Sequence, residues 1–121
     1  MSERKFKEVQ TQRGKVVVLS AEDSPNTLEG IFVGSGRNIG EDEDLKTIEI
    51  FNPEESELFL IPLTAVIERK FDQIEPHSYV MIEYKGKVKG KKNSYHDFKV
   101  MVAEAEAEEL TALAEYIETI S

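Results

Sequence analysis

The densest chemistry in this sequence lies in Tyr84-Lys85-Gly86-Lys87-Val88-Lys89-Gly90-Lys91-Lys92-Asn93-Ser94-Tyr95-His96-Asp97-Phe98-Lys99. On an extended strand Lys85, Lys87 and Lys89 share one face at intervals of about 6.6–6.8 Å, close to the phosphate spacing of a single nucleic-acid strand. Gly86 and Gly90 leave room for a close backbone approach, and Tyr95 or His96 offers a flat ring. Sequence-tolerant single-strand binding needs this mixture, because charge follows the phosphodiester while each stacked base adds about 1–3 kcal/mol. The same residues also describe a plain hairpin whose edge lysines stop it pairing with other sheets. Two rings upstream extend the candidate site. If Ile48, Ile50, Leu58 and Leu60 face the core, Phe51, Phe59 and Ile61 face outward, and Phe51 and Phe59 become stacking candidates. Arg37, in a glycine-punctuated loop, is placed to reach a bound strand from the rim.

Other chemistries find little support. Gly34, Gly36 and Gly40 miss the spacing of a phosphate-cradling loop by one residue, and they precede acid rather than a helix. Glu41–Asp44 lacks the glycine turn and distal glutamate of a calcium loop. His77 and His96 have no ligand-type spacing, and the chain has no cysteine, so no metal or cofactor is expected. Ser20, Ser35 and Ser94 sit in no nucleophile-elbow pattern, and no catalytic residue is assigned.

The 15 Lys and Arg stand against 24 Asp and Glu, a net charge of −9 that would repel nucleic acid if it were evenly spread. It is not. Segment 1–15 balances at +3 and segment 41–57 at −7; segment 85–99 reaches +5, and 101–121, with six glutamates and no base, −6. Screening limits exposed charges to about 8–10 Å, so a polyanion at 85–99 meets local base rather than the average.

The elements that must hold these residues follow from periodicity. Val16–Leu19, Leu28–Val33, Lys46–Phe51 and Glu57–Ile61 read as strands, the last two joined by an Asn52–Ser56 turn. Val16–Leu19 and Leu28–Val33 are either halves of one bent strand or a separate hairpin. Leu63, Val66, Ile67, Phe71 and Ile74 switch to helical spacing over about three turns, opened by Pro62. Tyr79–Lys89 and Tyr95–Ala103 alternate again, with Val80, Ile82, Tyr84 and Val88 on one side of the first and the lysines on the other. Glu104–Ile120 is an acidic amphipathic helix with a stripe of Leu110, Leu113, Ile117 and Ile120. That stripe packs on its own sheet, pairs with a second copy, docks a replication partner or lies over the basic groove. The order predicts a mainly β chain: a five-stranded Greek-key OB-fold barrel with one short helix between strands three and four, plus the appended helix. An SH3-like barrel is the other reading. The divisions expected are a basic arm (1–13), the OB-fold domain (14–103) and an acidic tail (104–121). No apolar run reaches the ~20 residues of a membrane helix, and Met1–Val9 lacks a signal-peptide core.

Leu28-Glu-Gly-Ile-Phe-Val-Gly-Ser-Gly36, the stretch from Tyr79 to Gly90 and Tyr95-His-Asp-Phe-Lys-Val100 together resemble the phage-encoded OB-fold single-stranded DNA-binding proteins over roughly residues 14–104. The resemblance implies a non-catalytic, sequence-nonspecific protein that coats single-stranded DNA in viral replication or recombination, in the cytoplasm of a host cell. It makes Lys85, Lys87, Lys89, Lys91, Lys92, Tyr95 and Lys99 the DNA contacts. The chain departs from related bacterial proteins at its end, where Tyr116–Ser121 looks helical rather than an acidic tail with an aromatic tip. The rival expectation is an acidic protein-interaction module, mimicking DNA or inhibiting a host DNA-handling protein through 41–57 and 104–120.

Overall fold

The computed structural model describes residues 14–20, 26–91 and 94–120. Asn52 and Pro53 break the β-branched and aromatic run that precedes them, so strands β3 (Thr47–Asn52) and β4 (Glu57–Pro62) form an antiparallel hairpin. Asn52 Oδ1 accepts the Glu55 N–H at 3.0 Å, which closes the turn. β2 (Thr27–Ser35) runs antiparallel to β3 on one side and to β5 (Ser78–Lys89) on the other, and β6 (Ser94–Glu104) pairs with β5. β2, β3, β4 and the returning β5 therefore make a Greek key.

Two details differ from the expected architecture. The sheet has six strands in the order β1-β4-β3-β2-β5-β6, and among the described residues its two end strands do not pair with each other. The extra strand, β1 (Lys15–Val16), lies parallel to β4, with the Val17 N–H continuing the ladder to the Leu60 carbonyl at 2.9 Å. It is neither half of β2 nor its hairpin partner. Helix α1 (Ala65–Phe71) is two turns rather than three. Pro62 ends β4, and Thr64 caps the helix by accepting the Ile67 N–H at 3.3 Å. The second helix, α2 (Ala107–Ile120), follows β6 directly.

The sheet carries apolar clusters on both faces. On the concave face Leu28, Phe32, Ile48, Ile50, Phe59, Ile61, Val80, Ile82 and Phe98 pack with Leu19 and with Ile67 and Phe71 of α1. Phe32 and Phe71 meet edge to face at 4.9 Å. On the convex face Ile31, Phe51 and Leu58 pack under Leu113 of α2, with Tyr116 and Ile117 beside it.

Gly30 shows how tightly β2 lies on β3. A Cβ there would fall inside the envelope of the Phe51 carbonyl oxygen and about 2.9 Å from Ile50 Cγ2, and that backbone is fixed by pairing on both sides. Gly30→Ala should therefore destabilise the fold by about 2 kcal/mol or more, read as a lower urea midpoint at unchanged slope.

Candidate nucleic-acid interface

The β2–β5 register ends at Thr27↔Glu83, and the Tyr84 N–H still donates to the Asn26 carbonyl at 2.7 Å. Among the described residues β5 from Lys85 onward pairs only with β6, as a two-stranded arm. Its register changes there. Tyr84 lies opposite Phe98, but Gly86 lies opposite Asp97 and Lys87 opposite His96, so Lys85 is an extra residue in a β-bulge. Gly86 takes φ of 100°, a backbone state that L side chains rarely adopt.

The bulge redistributes the lysines. Residues paired across an antiparallel ladder share a face, so Lys87 and Lys89 lie with His96 and Ser94 on the concave side, the side of Tyr84 and Phe98. Val88, expected inward, instead pairs with Tyr95 on the convex side, where both are exposed. Lys85 also stays on the convex side. Its Nζ lies 2.9 Å from Glu83 Oε1, and Lys99 is directly across from Glu83. That hydrogen bond and the charge of Lys85, with help from Lys99, hold the Glu83 carboxyl below its ordinary range. The three lysines expected on one face are thus divided: Lys87 and Lys89 face one way, while Lys85 and Lys99 share an acid on the other. Lys91 is exposed at the tip, and Lys92 lies outside the described residues.

The concave side of the arm carries a row of rings: His96, which the sequence offered as a flat ring for a base, and Tyr84 and Phe98, which it placed toward the core. Phe98 is buried, Tyr84 half-buried and His96 exposed, with centroids 5.3 Å and then 5.5 Å apart. The Tyr84 hydroxyl and His96 Nδ1 form a hydrogen bond of 2.7 Å. Tyr95, 44% exposed, is also reached by solvent, but it lies on the opposite face from His96.

The expected outward rings are corrected. Phe51 is fully buried, its ring 5.0 Å from that of Tyr116, and Phe59 belongs to the concave core. Four residues separate Asn52 from Glu57, so even positions of β3 face odd positions of β4. Ile48 therefore faces with Ile61, Ile50 with Phe59, and Phe51 with Leu58. Arg37 lies beyond Ser35 at the end of β2, the end of the β2–β5 ladder away from the arm. Its carbonyl accepts from Thr47 Oγ1 at 2.7 Å. The structure does not bring Arg37 to the lysines. The N–H of Gly36 donates to the Thr47 carbonyl at 3.0 Å and so is already engaged by the strand ladder.

The terminal helix is fixed away from the arm. Leu113 is buried and Ile117 partly buried against the convex face, so neither is free for a partner; Leu110 is 37% exposed. The side chain of Ile120, like residues 1–13, lies outside what the structure describes. Acid collects where α2 meets the sheet. Burial first, then the Glu29 carboxylate, which also hydrogen-bonds it, and then Glu109 and Glu54 push the Tyr79 phenol up to about 12. Among the described residues no three His, Asp or Glu side chains gather as a metal site, and no helix is long and apolar enough to cross a membrane. The chain matches no family model, no curated protein and no solved structure.

Two outcomes follow from α2 and its acidic seam. Ending the chain at Glu104 should expose Ile31, Phe51 and Leu58, giving a species that binds a hydrophobic dye and melts lower than the full chain. A phenol whose pKa is raised on folding contributes stability that is full below about pH 10 and lost as pH rises towards 12. The fall in melting temperature over that interval should be smaller in Tyr79→Phe.

Proposed function

We propose that this protein is a non-catalytic, sequence-tolerant single-stranded DNA-binding protein of OB type, acting in phage-type replication or recombination. The observation that carries the reading is the β5–β6 arm, which sets Lys87 and Lys89 on the same side as exposed His96 and half-buried Tyr84. Charge there can track a phosphodiester while a ring receives a base, and stacking on a ring requires an unpaired base, which a single strand offers. The Greek-key order, with α1 between β4 and β5, supports an OB-type sheet in which β1 is an added edge strand. The convex face of β3 and β4, through which OB-folds commonly take oligonucleotides, is covered here by α2. The arm therefore carries the binding.

A second reading has its own observation. Glu29, Glu54 and Glu109 surround Tyr79 beside α2, an acidic surface suited to a basic protein partner or to mimicry of DNA. A stoichiometric protein partner captured after nuclease treatment, without affinity for any oligonucleotide, would favour it.

The test is an anisotropy titration of labelled oligo-dT. Binding at low salt is expected, with log K falling against log salt at a slope of about −2 if Lys87, Lys89 and Lys91 each neutralise one phosphate. Reversing Lys87 and Lys89 together to Glu should weaken binding about 100-fold or more, whereas Lys85→Glu, on the other face, should do far less. Absence of binding at low salt would refute the reading.

A further inference from the structure

We infer that the bulge at Lys85–Gly86 assembles a nucleobase-stacking subsite from Tyr84, His96 and Lys87 on the concave side of the arm. The inference rests on the single-strand reading above and specifies where a base sits. Were the ladder regular, Gly86 would lie opposite His96, and Lys87 would fall opposite Tyr95 among the convex-side groups. One extra residue exchanges the two, so that a cation stands beside the imidazole. The rings form a graded row from buried Phe98 through half-buried Tyr84 to exposed His96. Packing holds the inner end, and the 2.7 Å bond between the Tyr84 hydroxyl and His96 Nδ1 orients the outer ring before a ligand arrives. A ring oriented in advance loses less freedom on binding. Lys89, two residues further along the same face, offers the next cation about 6.6–6.8 Å away.

The convex side is the poorer seat. Tyr95 is exposed there, but Asp97 and Glu83 share that face, and Glu83 already engages Lys85. A phosphodiester on that side would meet acid within one cross-strand neighbour. The ligand chemistry assigned to the concave side is therefore one base of a single strand, stacked at His96–Tyr84, with flanking phosphates on Lys87 and Lys89.

The full chain is titrated with two labelled probes of equal length, oligo-dT and an abasic phosphodiester that carries charge without bases. The unaltered protein should prefer oligo-dT by about 5- to 150-fold. His96→Ala should abolish that preference, lowering oligo-dT affinity far more than abasic affinity. His96→Phe should keep part of it, because the ring stacks but loses the orienting bond to Tyr84. Deleting Lys85 should remove the preference, whereas Lys85→Ala, which loses the same charge and keeps the extra residue, should retain it. The two His96 variants change one exposed side chain and carry the test if the deletion unfolds the arm. Equal affinity of the unaltered protein for both probes, or a persistent preference in His96→Ala, overturns the subsite and leaves single-strand binding standing. Failure to bind either probe at low salt overturns both.

Discussion

Strands β3 and β4 bury almost every residue they contain, on both faces, and the rest of the molecule is arranged around that demand. A sheet with one wet face needs one cover, whereas these strands need two. The concave side is covered by α1 and Leu19, which pack with the strands' side chains there. The convex side is closed by α2, which sets Leu113 and Tyr116 over Phe51. Burying such side chains is worth about 1.5–3 kcal/mol each, so this helix is a structural part of the sheet rather than a loose appendage.

Covering the convex face limits where a ligand can bind. The broad surface of β3 and β4 is lost to α2, and the glutamates around Tyr79 make its border acidic. Among the described residues the β5–β6 arm outruns its neighbours, since β2 starts at Thr27. Beyond Tyr84 and Phe98, which still pack on the core, the arm's described side chains are exposed or only partly buried. Its base is therefore displayed away from α2, and the net −9 describes no single surface of the molecule.

Much of the fold was legible from local pattern. Strands β2 to β6 and α2 begin and end within a few residues of their expected limits, because period-two runs and turn residues act over short distances. The facing of Phe51 and Phe59 was readable too, had the turn been counted: four connecting residues force odd positions opposite even ones. Gly86, isolated inside a strand pattern, is the usual sign of a bulge, and it marked the place where the lysine alternation would break. The two-residue β1 carried no such signal, since a parallel pair is stabilised by a partner more than forty positions away in sequence.

The sequence by itself determined the element types, the separation of acid from base and the presence of rings among the lysines, because these depend on residue identity and short-range spacing. Tertiary structure alone decided which rings meet solvent. Phe51 is closed off by a helix some sixty residues later, and one extra residue in the opposite strand sets Lys87 rather than Gly86 across from His96. It also decided where the acidic helix sits, because that choice depends on which apolar face remains uncovered once the strands have paired. Exposure is a property of the assembled surface, and only the folded chain has one.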